Sequence, residues 1–143
     1  MQKTTEELKN ELKDIESSNQ FEDWLETALK GSTTFEEYFR KICEEKGITR
    51  GQLVNRVAMG RSYLYEISDG KKHASKETII KIALGLEATV EETNMLLKAS
   101  GNQELYPRKE QDAIIEFGIR NHWSVYQIDE LLEKRGLSLR LTE

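Results

Sequence analysis

Residues 47–86 read GITRGQLVNRVAMGRSYLYEISDGKKHASKETIIKIALGL, and their apolar residues recur at the spacing of short helices. Three groups have the three- and four-residue intervals that place side chains on one helical face. These groups are Leu53, Val54 and Val57, then Leu64 and Ile67, then Ile79, Ile82, Ala83 and Leu86. No pair of alternating strand patterns lies between them, so the stretch predicts three successive helices of an all-α protein.

Two further apolar stripes extend the helical pattern on either side. They are Phe35, Tyr38, Phe39 and Ile42 before the quoted stretch, and Val90, Thr93, Leu96 and Leu97 after it. Capping boxes, in which a hydroxyl residue is followed three positions later by an acid or amide, mark helix starts at Thr34, Thr49, Thr89 and Ser124. Glycines at 31, 47, 70, 101 and 136 mark helix ends. The pattern predicts five short helices in a compact unit at residues 34–101.

The segment before this unit, residues 1–33, is acidic, with 4 basic residues against 8 acidic ones. Its apolar residues recur at helical spacing in two runs, which are Leu8, Leu12 and Ile15, then Phe21, Trp24, Leu25 and Leu29. The pattern predicts an acidic helical segment of one or two helices. Two interpretations stay open. The helices have an ordinary solvated face, or they cover a basic surface of the neighbouring unit or hold a partner that controls access to it.

The segment after the unit, residues 102–143, is predicted to be a helical C-terminal lobe. Its first helix is expected to have Pro107 in the first turn, to run to about residue 121, and to face Ala113, Ile114 and Phe117 inward. A second helix is expected at about residues 125–135, with Val125, Ile128, Leu131 and Leu132 on its apolar face. The ending LSLRLTE alternates apolar and polar residues and is expected to dock as an extended tail.

Charge and composition limit the classes of function. The net charge of −5 argues against indiscriminate binding to nucleic acid, yet residues 46–74 contain six basic residues and two acidic ones. No apolar run approaches the length of about 20 residues that a membrane span needs, and MQKTTEELKNELKDIE lacks the apolar stretch of a signal peptide. We therefore expect a cytoplasmic protein that does not enter membranes.

No arrangement of residues predicts catalysis. His73 and His122 lie nearly fifty positions apart without a cysteine at ligand spacing, so no metal site is expected. The glycines form no phosphate-binding loop. Cys43 follows Phe39 by four positions and is expected to be a buried small hydrophobe rather than a reactive thiol. The sequence predicts a protein that is not an enzyme and that needs no cofactor.

The quoted stretch, with the helices predicted on both sides of it, resembles the helix-turn-helix of the Cro and lambda-repressor type, also called the XRE family. The resemblance covers about 65 residues and includes a polar second helix, a tight turn, a serine-led reading helix ending in Gly, and a Ser-x-x-Thr start to the next helix. The flanks are similar to bacterial regulators with acidic N-terminal helices and a second lobe of the form LYPRxxxDAIIxF, here LYPRKEQDAIIEF. The resemblance implies a five-helix lambda-repressor-like domain with flanking N- and C-terminal helices.

The helix at about residues 60–68 corresponds to the reading helix of that family. Leu64 and Ile67 share the inward face, which leaves polar side chains outward, where a major groove would meet them. Basic residues before and after this helix are expected to hold the DNA backbone on either side. The predicted DNA-contacting residues are Arg50, Gln52, Arg61, Ser62, Tyr63, Tyr65, Glu66, Lys71 and Lys72. Glu66 and Asp69 also bring carboxylates towards this polyanion.

We therefore expect a sequence-specific transcriptional regulator that reads double-stranded DNA. A homodimer is expected because one reading helix contacts few base pairs, and paired half-sites lie about 34 Å apart. The candidate dimer surfaces are the helices at 107–135, the tail residues Leu137, Leu139 and Leu141, and the N-terminal helices. The second hypothesis is a protein-interaction adaptor that keeps this fold and binds a protein through the outward face, the acidic helices or the C-terminal lobe. The acidic net charge favours the adaptor, and the basic cluster favours DNA.

Overall fold

The computed structural model describes residues 4–13 and 34–142, which form eight α-helices and no β-strand. The helices are α1 (Thr5–Lys13), α2 (Phe35–Lys46), α3 (Arg50–Val54), α4 (Arg61–Ser68), α5 (Lys76–Gly85), α6 (Val90–Ala99), α7 (Glu110–Arg120) and α8 (Val125–Lys134). The chain divides into two compact units, Met1–Thr33 and Thr34–Glu143. The predicted all-α class is confirmed. Within the described ranges, no helix has the length and apolar character needed to cross a membrane.

In the first unit the described residues form α1. The backbone N–H of Glu7 donates to Thr4 Oγ1 at 3.1 Å and so caps the helix start. Glu6 and Glu7 in the first turn and Lys13 in the last complement the helix dipole. The predicted apolar stripes of this segment and the stop at Gly31 lie outside the residues whose side chains are described.

Local capping interactions set the helix boundaries of the second unit. The hydroxyls of Thr34, Thr49, Thr89 and Ser124 each accept the backbone N–H three residues later. The last three are reciprocal capping boxes, in which the side chain at that third position returns a bond to the cap. The glycines at 47, 70, 101 and 136 all have positive φ, from 65° to 81°. The four predicted starts and these four stops are confirmed.

One apolar core runs through the unit from α2 to the C-terminal tail. It forms where α5 packs against α6, α7 against α8, and α2 against both α4 and α6. The apolar residues with no exposed surface are Leu53, Leu64, Ile79, Ile80, Ile82, Leu86, Leu96, Leu97, Ile115, Ile128 and Leu132. The inward faces predicted for α2 to α6 and for α8 are therefore confirmed, with Tyr38, Val54, Val57, Val125 and Leu131 partly buried at the edges of the core.

The predictions for α7 were wrong in two respects. Pro107 lies in the turn before the helix, which begins only at Glu110. The inward face also differs from the predicted one, because Phe117 is 55% exposed while Ile115 and Ile119 are buried. Ala113 and Ile114 are only partly buried.

Close packing against α8 explains which face of α7 turns inward. A Cβ at Gly118 would lie 2.6 Å from Ile128 Cγ1, so α8 approaches α7 at the one position that lacks a side chain. Gly118 shares its face with Ile115 and Ile119. This helix has two overlapping apolar stripes. The glycine makes the stripe that contains Ile115 and Ile119 the better packing surface. Phe117 then packs edge-to-face on Trp123, with 5.3 Å between the ring centroids.

Two buried carboxylates fasten the C-terminal segment. Asp112 accepts hydrogen bonds from Lys76 Nζ at the start of α5 and from the Tyr106 N–H at 2.9 Å. Asp129 accepts the Leu141 N–H at 3.2 Å and the Thr142 hydroxyl at 2.9 Å. Leu141 is buried, so the predicted docking of the tail is confirmed. This residue packs within its own chain and is not free to contact a second protomer.

Cys43 is buried on α2, as predicted. Burial raises the pKa of its thiol from an ordinary 9.0 to about 11. The positive charge of Arg50 lowers this pKa, and the negative charge of Glu44 raises it. The raised pKa keeps the thiol protonated at neutral pH, which makes it a poor nucleophile.

We expect the stability of the fold to decrease as the pH rises from about 9 towards 11, because the unfolded chain then releases the Cys43 proton while the folded chain retains it. At pH 8, iodoacetamide should modify the native thiol about a hundredfold more slowly than the unfolded one. Urea unfolding across this pH range, compared with Cys43→Ala, separates the thiol from other titrating groups. Parallel pH profiles for the two proteins would contradict the assignment.

Candidate nucleic-acid interface

The candidate interface is built on α3, α4 and the turn between them. Two side-chain hydrogen bonds fix the turn against α5. Lys81 Nζ of α5 donates to the Ala58 carbonyl at 3.3 Å, and Arg56 Nη1 of the turn donates to the Gly85 carbonyl at 3.2 Å. A Cβ at Gly85 would lie 2.6 Å from Val57 Cγ1, so this glycine lets the turn pack directly on α5. The orientation of α4 therefore depends on α5.

Helix α4 has one buried face and one exposed face, as predicted. Leu64 and Ile67 are buried in the core. Arg61, Ser62 and Tyr63 in the first turn are exposed to solvent. The helix begins after Gly60, which has the extended conformation of an N-cap but offers no side chain to the free N–H groups. The exposed first turn thus presents its polar side chains outward.

Arg50 connects the start of α3 to the end of α4. Its Nη1 lies 2.9 Å from Asp69 Oδ1 and 3.1 Å from Ser68 Oγ. Its Cζ lies 4.1 Å from the centroid of the Tyr65 ring, and the Cζ of Arg61 lies 5.9 Å from the same centroid. Both arginines are within cation–π distance of one ring, so Tyr65 holds the two guanidinium groups on the same surface.

Lys72 follows α4 in the chain and contacts two side chains of this helix. Its Nζ lies 2.8 Å from Glu66 Oε2 and 5.7 Å from the centroid of the Tyr63 ring. The hydrogen bond to Glu66 raises the pKa of Lys72, and the charge of Glu66 raises it further. The backbone N–H groups of Lys71 and Lys72 both donate to the Glu66 carbonyl. This turn therefore keeps the two lysines next to α4.

The carboxylates on this surface are paired with cations. Asp69 is bound by Arg50, and Glu66 is bound by Lys72. Within residues 4–13 and 34–142, Arg61 and Lys71 form no ion pair with a carboxylate. The surface is positive as a result, and its two acidic groups are already neutralised locally.

The structure brings together six of the nine predicted contact residues. Cation–π and ion-pair contacts link Arg50, Arg61 and Tyr65 in one group and Tyr63, Glu66 and Lys72 in the other. Ser62 and Lys71 are exposed to solvent. Gln52 is exposed, and its Oε1 accepts the Thr49 N–H at 2.9 Å. This amide is therefore part of a helix cap, and its nitrogen can still donate to a ligand.

Sequence reasoning missed the contribution of Ser68 and Asp69. These residues lie 18 and 19 positions from Arg50, and they fix the orientation of its guanidinium. The sequence did place Asp69 on the outward face, but nothing in its pattern signals a bond to the start of α3. In the described part of the chain, no group of three or more His, Cys, Asp or Glu residues is arranged to hold a metal ion. Comparisons of the chain with protein-family models, curated proteins and solved structures found no match.

Proposed function

We propose that this chain is a cytoplasmic, sequence-specific transcriptional regulator of the XRE type, in which α4 reads the major groove of DNA. The observation that carries the proposal is the exposed polar face of α4. This helix follows α3 after a turn fixed to α5, buries Leu64 and Ile67, and displays Arg61 and Ser62 to solvent. A helix with this division of faces can enter a groove without disturbing the core.

The exposed residues fit two different roles at DNA. Arg61 is suited to base reading, because a guanidinium can donate to both acceptors of guanine, and Ser62 can bond to a base edge or a phosphate. Arg50, Lys71 and Lys72 are suited to phosphate, where cations position the protein without reading sequence. Glu66 is bound to Lys72, so its role is to orient that lysine and not to read cytosine.

The negative net charge of the chain is compatible with this role. Electrostatic attraction to DNA depends on the charge near the contact, because salt at about 0.1 M screens exposed charges beyond about 10 Å. On this surface both carboxylates are paired with cations, while Arg61 and Lys71 have no carboxylate partner among the described residues. The local charge therefore favours a polyanion despite the overall value of −5.

The proposal includes a homodimer on a two-fold symmetric site. One copy of α4 spans only a few base pairs, and two copies about 34 Å apart would read both halves of such a site. The exposed side chains Tyr106 and Phe117 are candidate dimer contacts in the C-terminal lobe. Leu141 is excluded from this role by its burial.

The direct test is selection of fragmented genomic DNA from the source organism by the purified chain, at low and near-physiological salt. We expect retained fragments to share a roughly palindromic site. If Arg50, Lys71 and Lys72 of two protomers contact phosphate, the logarithm of the affinity should decrease with the logarithm of salt concentration with a slope of about −5. Failure to enrich a site at either salt, with the full chain and with a truncated chain lacking residues 1–31, would contradict the proposal.

Removal of residues 1–31 is expected to raise DNA affinity severalfold, because these residues contain 8 acidic and 4 basic side chains. Affinity is measured on the selected site with both chains at one salt concentration. Replacing Glu22, Asp23 and Glu26 by the matching amides keeps the chain length and is the control for charge. Equal affinity of all three proteins would exclude control of DNA access by this segment.

A protein-interaction adaptor is the second candidate. Two observations favour it, namely the pairing of Arg50 and Lys72 with carboxylates and the exposure of Tyr106 and Phe117 on the C-terminal lobe. An adaptor would bind a partner protein through such aromatic residues and would retain no DNA site in the selection. The same experiment thus separates the two functions.

A further inference from the structure

A groove with a volume of about 1080 Å³ lies in the second unit, and no residue of α4 is among those that line it. Its walls come from the turn after α3, the end of α5 and the start of α6, together with the α7–α8 connection and the C-terminal tail. Sites for small molecules typically have volumes of roughly 300–1,000 Å³. This groove is large enough for a ligand of that size.

The apolar part of the lining suits a flat ring. Val57, Leu84 and Trp123 are partly buried in the wall, and the Trp123 ring is held by its edge-to-face contact with Phe117. Tyr126 also lines the groove and is 71% exposed, so one aromatic ring is fixed and another is accessible. Aromatic side chains favour planar apolar partners that stack or meet them edge-on.

The charged part of the lining suits a single negative charge. Three cations, Arg56, Lys81 and Arg120, line the groove together with His122 and with the carboxylates Glu87 and Glu91. Among residues 4–13 and 34–142, the ion pair of Arg120 is a long one within its own helix, where Nη2 lies 3.8 Å from Glu116 Oε1. Its guanidinium can therefore bind a carboxylate with two parallel hydrogen bonds. The two glutamates oppose a ligand with several negative charges.

We propose that this groove binds an aromatic monocarboxylate, with its ring against Trp123 and Tyr126 and its carboxylate on Arg120. The inference does not depend on DNA binding. Because Arg56 and Ala58 belong to the turn that connects α3 to α4, a bound ligand would contact the segment that orients α4.

The test is an NMR titration of the full chain with naphthalene-2-carboxylate, with the neutral naphthalene-2-carboxamide as the matched probe. We expect saturable shifts of amide resonances in the groove and binding of the carboxamide about tenfold weaker, because it lacks the charge-assisted bonds. Absence of saturation, shifts located outside the groove, or equal affinity for the two probes would overturn the proposal.

Two variants test the residues assigned to the ligand. Arg120→Gln should weaken binding of the carboxylate about tenfold and leave that of the carboxamide unchanged. Arg108→Gln removes an exposed arginine outside the groove and should have no effect. Equal carboxylate affinity of Arg120→Gln and the unaltered chain would overturn the proposed position of the anion. The titration contains no DNA, so its outcome is separate from that of the genomic selection.

Discussion

Arg61→Glu is expected to reduce affinity for the selected DNA site about a hundredfold or more, because a base contact of about 1–3 kcal/mol is lost and a carboxylate then faces the DNA. The change places this carboxylate in the exposed first turn of α4. Binding is measured by fluorescence anisotropy with a labelled duplex at constant salt. The loss of DNA affinity should exceed the loss caused by the same substitution at any other exposed Lys or Arg of the chain.

The fold should survive this substitution. Arg61 is exposed, and its contact with the Tyr65 ring is a long one, at 5.9 Å. A glutamate in the first turn of a helix interacts favourably with the helix dipole, by about 0.3–1 kcal/mol. Unfolding in urea should therefore show unchanged or slightly higher stability, so that lost affinity reports on the interface alone.

Two companion variants separate the contact from bulk charge. Arg108→Glu makes the same change of charge in the exposed turn before α7 and should alter affinity much less. Arg61→Lys keeps the charge but lacks the planar fork that binds guanine, so it should weaken binding and reduce sequence preference at one position. Equal losses for Arg61→Glu and Arg108→Glu would show that only net charge matters, and α4 would then not be the reading helix.

Asp112→Ala is expected to destabilise the second unit by about 1–3 kcal/mol, because two donors lose a buried acceptor. Asp112 is 1% exposed, and its carboxylate accepts bonds from both Lys76 and the Tyr106 backbone. After the change, the ammonium group of the partly buried Lys76 and this N–H lose their acceptor. Urea unfolding at pH 7 measures the free energy of unfolding.

The matched control is Glu104→Ala, which breaks the exposed pair between Glu104 and Lys98. Exposed pairs contribute about 0–1 kcal/mol, so this variant should remain close to the unaltered chain. Asp112→Asn retains an acceptor for the Tyr106 N–H and should lose less than Asp112→Ala. If Asp112→Ala cost no more than Glu104→Ala, the carboxylate would not be the link between α5 and the C-terminal segment.

The helices of the second unit were largely predictable because their signals are local. A cap such as Thr49 with Gln52 involves residues three positions apart, and the same spacing is visible in the sequence and in the structure. Glycine at a helix end is also a local signal, because its positive φ depends on that residue alone. The inward face of α7 was not predictable in this manner, because its sequence has two overlapping apolar stripes and the choice between them depends on contact with Ile128 of α8.

The candidate interface likewise combines features that the sequence predicts with features that depend on contact between helices. The sequence determined that Leu64 and Ile67 lie inward and that the first turn of α4 carries Arg61 outward, since helical periodicity alone separates these faces. It also determined the excess of basic residues in this part of the chain. These properties depend on residue type and on spacing within one helix.

Only tertiary structure establishes which charges are paired. Arg50 meets Asp69 across 19 positions, and Lys76 meets Asp112 across 36. The groove likewise brings together Arg56 of the turn after α3 and Arg120 of α7. The physical reason is that an ion pair or a cavity of this kind forms only where packing of the apolar core brings separate helices together. That packing depends on the side chains of all the helices in the core.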